Sequence, residues 1–600
     1  MASSSSSSSA SSAAGGGDRL SKLSSTVLGH ILSFLPSDEA ARAAALSHWW
    51  RDVFAHVHTV SLDEPQRPVP DPDGDWSPGW RPIDRNAAAL SLTFAHRLSA
   101  ALLSRLRLRL AGGDWTATVA GVPLRALRAG FHGDHGYGFR AGTDAGILDT
   151  WLAYAIHQAD DDGELHLDLR LCLAAIVCDR TYSLHPRGGA EADEDDDGGR
   201  RSRIFVGPNG RLYGLKLPVE RFDADGGEDE DEDEDEDYAS PKSTLAGDGD
   251  EEELPPPHEY EYVTPRFLFS CSALRTLRIR PCRLDLPPAA NAISLPSLET
   301  MHLIQITGRR TSVQRLVSAC LCLADLTLEA CKGLTELDVS DKRRLRRLAL
   351  RCWHDLAAVA VDSSELRAFE YRGAVPSPSF LTIHGGGIKI SSCKLDFCGA
   401  EVTDPPELAK LGDFLHLFAA GVESLHLTSA RLGCGDTAAS MFPEFPLLRR
   451  LELMGILPED DAAAAVATVT GILNRTPRLE ALTLFFMEEP EDLMRGSEYI
   501  LVDDEELLDG HNLKHDRNAA IAVPEAEMIT CLRETIKEIN FVHYDGGLGQ
   551  RTLAKFLLRN APVVGEVCGE FAQGPLWIQT VLMEEIKGWV MNKSANMMFF

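Results

Sequence analysis

The chain has 600 residues, 44% hydrophobic and 25% charged, with a formal net charge of −31 at pH 7. The apolar share suffices for a large core, and the negative balance disfavours nucleic acid, whose phosphates it would repel. The longest strongly apolar run, Ala462 to Leu473, spans a dozen residues; a membrane helix needs about 20, so no membrane partner is expected.

Residues 1–17, MASSSSSSSASSAAGGG, have no basic start and no apolar segment, and read as a disordered polar tail rather than a secretory signal. The 13 scattered cysteines include no CxxC pair, which points to buried free thiols in a reducing compartment, cytosol or nucleus. Next comes HILSFLPSDEAARAAALSHWW, His30 to Trp50, with Leu-Pro between two helical patterns. Proline lacks an N–H and its ring collides with the preceding turn, so Pro36 ends one helix and Ser37 is placed to cap the next. A unit of about 40 residues is too small to bury a stable core alone. Residues 18–60 are therefore expected to be an all-α module that holds apolar surface for a partner, or else packs on the rest of the chain. Residues 61–90 read as a linker.

A repeating stack is expected over 91–487. Leu148–Gln158 reads as its first helix, and Gly163–Leu171 and Gly210–Leu217 as early strands. An acidic insertion interrupts it at about 186–258. Between Glu191 and Glu253 there are 24 acidic and 7 basic residues, centred on EDEDEDEDED at Glu228–Asp237. Such a run repels itself and cannot pack; it is a solvated disordered loop or, alternatively, a lure for basic partners such as histones.

From residue 270 the pattern apolar-x-x-apolar-x-apolar recurs, first at Leu274/Leu277/Ile279, Leu298/Met301/Leu303 and Leu323/Leu326/Leu328. It continues from Leu334, Leu345, Leu356 and Leu366, and again from Val422, Leu448 and Leu479. The last two positions of each unit have the period of a strand face, and recurrence at this interval means a solenoid. The first units stand 24 and 25 residues apart, but from Leu323 to Leu366 the steps are 11, 11, 11 and 10. Eleven residues cannot complete a coil with a helix. The spacing predicts coils of about 22 residues with strands on two faces, so that Leu326 neighbours Leu348 in one sheet and Leu337 neighbours Val359 in the other. Thr327, Ala349 and Glu370 would then offer an outward binding face. Convex helices return later, as in Ala462–Pro477, and DKRRLRR at Asp341–Arg347 reads as a solvated turn.

The repeat resembles the leucine-rich repeat, L-x-x-L-x-L, including the cysteine three residues past the strand at Cys282 and Cys331. Asp18 to Val57 resembles the F-box of plant proteins, with Ser24, Ala43 and Trp49 departing from its usual Pro, Thr and basic residue. Met528 to Val567 resembles the FBD domain found with plant F-boxes; LAKFLLRNAPVV, Leu553–Val564, carries that likeness. Residues 488–600 are thus expected to be FBD-like terminal repeats and cap, with an amphipathic helix beyond Gly574. Together these imply an α/β leucine-rich-repeat solenoid behind a small N-terminal F-box.

The F-box resemblance implies that Leu20, Leu23, Leu28, Ile31, Leu32, Leu35, Pro36, Ala40, Leu46, Trp50, Val53 and Phe54 bind a Skp-family adaptor, and through it a cullin. The chain would be the substrate-recognition subunit of an SCF-type ubiquitin ligase, with the repeats holding an unknown protein substrate. A non-ligase scaffold and an acidic nuclear chaperone remain open alternatives. Phosphate-binding, nucleophile-elbow and zincin motifs are absent from the sequence. The lone His543 reads as a turn residue, so no catalysis and no cofactor are expected.

Overall fold

The computed structural model describes residues 23–44, 50, 53–64, 94–105, 122–131, 141–159, 164–171, 202–206, 212–216, 261–289, 292–331, 333–385, 389–397, 405–431, 442–457, 462–487, 513–516, 521–523, 529–572 and 574–600. The polar tail, most of the linker and the acidic run lie outside them. The chain forms two units, residues 1–174 with 258–300, and residues 175–257 with 301–600.

In the first unit, two short helices, α1 (Ser25–Leu32) and α2 (Ser37–Ala44), precede strand β1 (Thr59–Asp63). β1 pairs parallel with β2 (Ala126–Gly130), and β2 with β3 (Leu165–Arg170). The sheet therefore starts at Thr59, inside the stretch read as F-box end and linker rather than at 91. Helices 94–105 and Ala141–Gln158 supply the crossovers that parallel strands require. They are pinned by Trp151 Nε1 donating to Ser99 Oγ (3.0 Å) and by the Phe94–Phe131 edge contact.

The next strands in the chain, β4 (Ser202–Val206) and β5 (Leu212–Lys216), pair antiparallel with each other. Gly210–Leu217 is thus half of a hairpin, not a strand of the parallel stack; the intervening Gly-Pro-Asn-Gly is a hairpin turn signal that the apolar pattern outweighs in a repeat search. The first unit's sheet resumes with β6 (Leu274–Arg280), parallel to β3, followed by the two-residue strand β7 (Cys282–Arg283).

The second unit opens with β8 (Thr300–Ile304) and β9 (Ile306–Thr307). Then β10 (Asp325–Glu329), β12 (Arg347–Arg351) and β14 (Ala368–Gly373) line one sheet, while β11 (Glu336–Val339), β13 (Ala358–Asp362) and β15 (Leu381–His384) form a second. Leu326 pairs with Leu348, and Leu337 with Val359. The two-face arrangement read from the 11-residue spacing is the one observed.

The main sheet continues through β16 (Ser392–Phe397), β17 (Ser424–Arg431), β18 (Arg450–Ile456) and β19 (Ala481–Met487). It goes on through β20 (Glu538–Tyr544) and β21 (Glu566–Phe571) to β22 (Asn596–Phe599), a strand the sequence reading does not anticipate. One inward column, Leu326, Leu348, Phe369, Cys393, Leu425, Leu451, Leu482, Ile539 and Val567, stays in register across nine strands. None of these side chains is more than 1% exposed, and each leucine buried in this way contributes roughly 1.5–3 kcal/mol.

Past β15 the second sheet ends and helices back the main one: Pro405–His416, Ala462–Asn474 and Leu548–Asn560. Where the strand layer gives way to helices, bulky rings cluster. Phe369 stacks on Phe418 at 5.3 Å, Phe414 meets Phe418 at 5.4 Å, and Tyr371 meets Phe380 at 5.2 Å. The helix expected beyond Gly574 is Leu576–Trp589; Trp589 is buried, whereas Trp577 and Phe600 are exposed. The nine described cysteines are all free, seven of them buried, and the Cys331 thiol reaches the Leu303 carbonyl of the coil before it.

Gln305, Ala330 and Cys352 follow β8, β10 and β12 with left-handed φ of 53°, 51° and 50°. In each case the N–H donates to the carbonyl ending the next strand, Glu329, Arg351 and Arg372 respectively. The backbone turns here in the same way in three successive coils, and a side chain in this region costs about 1 kcal/mol that glycine does not incur. Ala330→Gly is expected to raise the unfolding free energy by a few tenths to about 1 kcal/mol, measured by urea denaturation; a loss of stability would mean that the Ala330 methyl packs better than its strain costs.

Candidate functional site

Helix α1 is apolar on two faces. Ser24 caps it, its Oγ accepting from Val27 N–H at 3.4 Å, so a side-chain hydrogen bond fixes the entry to the helix. Inward, Leu28 and Leu32 are 0% and 3% exposed, and Gly29 lies so close to His56 that a Cβ would stand 2.6 Å from its backbone carbonyl carbon. Outward, Val27, Ile31 and Phe34 are 46%, 42% and 76% exposed, with Leu35 at 37%. Positions 27 and 31 stand at the four-residue step that stacks side chains on one helix face, and Phe34 and Leu35 follow in the turn just past the helix end.

The corner at Pro36 is fastened to the sheet. Ser33 Oγ donates to the Gly29 carbonyl (2.8 Å) and accepts from His58 N–H (3.0 Å). Ser37 is the first residue of α2, and Ala40 N–H donates to the Pro36 carbonyl. The Ser37 hydroxyl does not cap its own helix. It accepts from Ser61 N–H in β1 at 2.8 Å, binding α2 to the strand. Arg97 closes on Asp38 at 3.2 Å. His30 Nδ1 and His58 Nε2 share a hydrogen bond of 2.8 Å, and burial, then the positive fields of His30, Arg125 and Arg105, hold the His58 pKa below its ordinary value.

The twelve motif residues thus divide. Leu28, Leu32, Ala40, Val53 and Phe54 are buried inside the module and act by shaping it. Leu23, Ile31, Leu35 and Pro36 are exposed, and Trp50 is partly buried. Leu20 and Leu46 lie outside the described residues. Helical spacing from Ile31 adds Val27, which the motif match does not single out, and the exposed Phe34, just past the helix end, joins them. Gly29→Ala is expected to push α1 off residue 56, costing about 1–3 kcal/mol, seen as faster amide exchange in α1; unchanged exchange would show that the backbone at 56 yields freely.

The second surface is the outward sheet face of the second unit. Thr327 and Ala349 do point outward, but they are 3% and 0% exposed, because an ion ladder covers them. Arg347 bonds Asp325 (3.0 Å), Thr327 Oγ1 (3.0 Å) and Glu370 (2.9 Å). Arg351 bonds Glu370 (2.9 Å) and reaches Glu329 (3.5 Å), and Arg372 lies 3.3 Å from Asp396. Burial alone would raise the Glu370 pKa, but bonding to Arg351, helped by Lys394 and Arg347, brings it below the ordinary carboxylate value. Asp325 follows the same course through His302 and Arg347.

Because these acids titrate lower in the folded state, the stability they add is present at neutral pH. It is lost as the pH falls below the unfolded carboxylate range through their lowered values. Glu370→Gln is expected to cost about 3 kcal/mol at pH 7 and almost nothing near pH 2, read from melting curves across pH; an equal loss at both ends would remove the ionic explanation.

Among the described residues, no group of three or more His, Cys, Asp or Glu side chains could hold a metal ion. Burial pushes the Cys320 and Cys331 thiols up to about 12, so both are inert at neutral pH. His543 sits in a left-handed turn with Nδ1 3.2 Å from the Phe486 carbonyl oxygen.

Residues 257–517 match the sequence family described as At1g61320/AtMIF1, LRR domain. Three curated relatives come from Arabidopsis thaliana. F-box/LRR-repeat protein At3g59200 is 49% identical over 47 residues, 8% of this chain and 9% of the relative. Putative F-box/FBD/LRR-repeat protein At5g62970 is 40% identical over 88 residues, 14% and 19% respectively. F-box/LRR-repeat protein At2g42720 is 48% identical over 46 residues, 8% and 10%. The chain therefore matches less than a fifth of the length of each. The in-register parallel coils form a leucine-rich-repeat solenoid, residues 257–517 are similar to the At1g61320/AtMIF1 LRR domain, and short stretches of the chain are similar to plant F-box/LRR-repeat proteins.

Proposed function

We propose that this chain is the substrate-recognition subunit of an SCF-type ubiquitin ligase. The observation that carries the reading is the double apolar character of α1. One stripe completes the interior, while Val27, Ile31, Phe34 and Leu35 remain in solvent. A short helix with a contiguous exposed apolar stripe fits a hydrophobic groove, the helix-in-groove mode of docking. A Skp-family adaptor supplies such a groove and bridges to a cullin. The repeats hold a protein substrate, and tethering raises the local concentration of its lysines near the conjugating enzyme. The chain itself performs no transfer chemistry.

The test is the double variant Phe34→Ser with Leu35→Ser. Both side chains are exposed, so the melting temperature is expected to hold, while adaptor capture falls by about a hundredfold, the loss of two anchors at about 1.4 kcal/mol each. Capture at wild-type yield would overturn the adaptor assignment. Capture of adaptor without cullin by the wild-type chain would instead favour a scaffold.

A further inference from the structure

The outward sheet face of the second unit changes character along its length. From β10 to β16 the charged side chains satisfy one another, and displacing them would strand partly buried charges. On β17 and β18 one pair remains, His426 with Glu452 at 2.8 Å, and beside it, toward the ends of β17 to β20, runs a largely apolar row. Thr428, Met454, Phe485 and Val542 stand next to one another in register on four adjacent strands, each half-buried. The His426 ring approaches the row from the neighbouring outward position, 6.2 Å from the Phe485 ring and bonded to Thr428 Oγ1, and the row is otherwise left half-exposed among the described residues.

Four residues toward the start of β20 an acidic pair begins and extends onto the neighbouring β21. There Glu538 and Glu566 are paired in register on β20 and β21. No Lys or Arg of the described residues forms an ion pair with either. Glu538 accepts only from Asn540 Nδ2 (2.7 Å), and Asn540 Oδ1 accepts nothing. The negative field is felt nearby. The Cys568 thiol is pushed up by burial and then by Glu566 and Glu538.

We propose that this part of the sheet docks an extended, basic segment of a protein partner, with a bulky apolar side chain on Met454, Phe485 and Val542 and a Lys or Arg at Glu538 and Glu566. The charge excludes acidic segments and nucleic acid. The spacing adds a constraint. Four strand residues span roughly 13 Å, so an extended segment needs its apolar and basic residues about two to four apart, given the reach of a long basic side chain. This rests on the receptor reading and names its substrate class.

The experiment selects peptides from an immobilised random library with the full chain, without adaptor. The expected result is enrichment of an apolar residue two to four positions from Lys or Arg. Glu538→Lys with Glu566→Lys should weaken these peptides about tenfold or more and shift selection toward Asp and Glu. Phe485→Ser should remove the apolar preference and leave the basic one. Selection without charge preference, or identical selection by the wild type and the double-lysine variant, would overturn the proposal. Adaptor capture is measured separately. If it persists while peptide selection fails, only this surface is wrong; if it fails while selection persists, only the receptor reading is.

Discussion

Parallel strands cannot be joined by a tight turn, so every neighbour in these sheets is reached by a crossover that must itself be buried. That constraint decides the rest. Where the crossover has only eleven residues from start to start, it can afford another strand and nothing more, and β11, β13 and β15 line up behind β10, β12 and β14. Where it is longer, a helix forms, as at Ala462–Asn474 between β18 and β19. The aromatic cluster around Phe414 sits where one solution changes to the other within a single stack.

Much of this was legible because the inward positions obey strict period two. Leu326, Leu348 and Phe369 announce both their strands and their partners. The antiparallel β4–β5 pair was not, since its apolar pattern equals that of a parallel strand and pairing direction leaves no mark on periodicity. Nor was β22, whose Asn-Met-Met-Phe lacks the leucine spacing. The accessibility of the outward face was illegible for a different reason. Alternation says which way Thr327 and Ala349 point, but covering them requires Arg347 and Arg351, whose long stems fold across neighbouring strands.

The helical module shows the same division between pattern and placement. Its motif gives residue identities at fixed spacing, yet Leu28 is buried while Ile31, three residues on and next to it around the same short helix, is exposed. What sorts them is the attachment of the module to β1 through Ser33, Ser37 and the close approach at Gly29. These are small, polar or absent side chains that hydrophobic pattern analysis passes over. They fix α1 against the first strand, so the apolar stripe that remains outside is the one adjoining the buried stripe of Leu28 and Leu32.

The half-coil of eleven residues also sets which changes in chain length the stack can absorb. Removing twenty-two residues from Leu323–Tyr371 takes out one whole coil and rejoins strands that already share a sheet. Removing eleven would join a strand of one sheet to the turn that feeds the other, and every later strand would inherit the wrong side. Length variation in this stretch is therefore quantised, tolerated in pairs of half-coils and ruinous in odd ones. Gene duplication that lengthened such a stretch would be confined to multiples of about sixty-six nucleotides, twice the half-coil of the observed register.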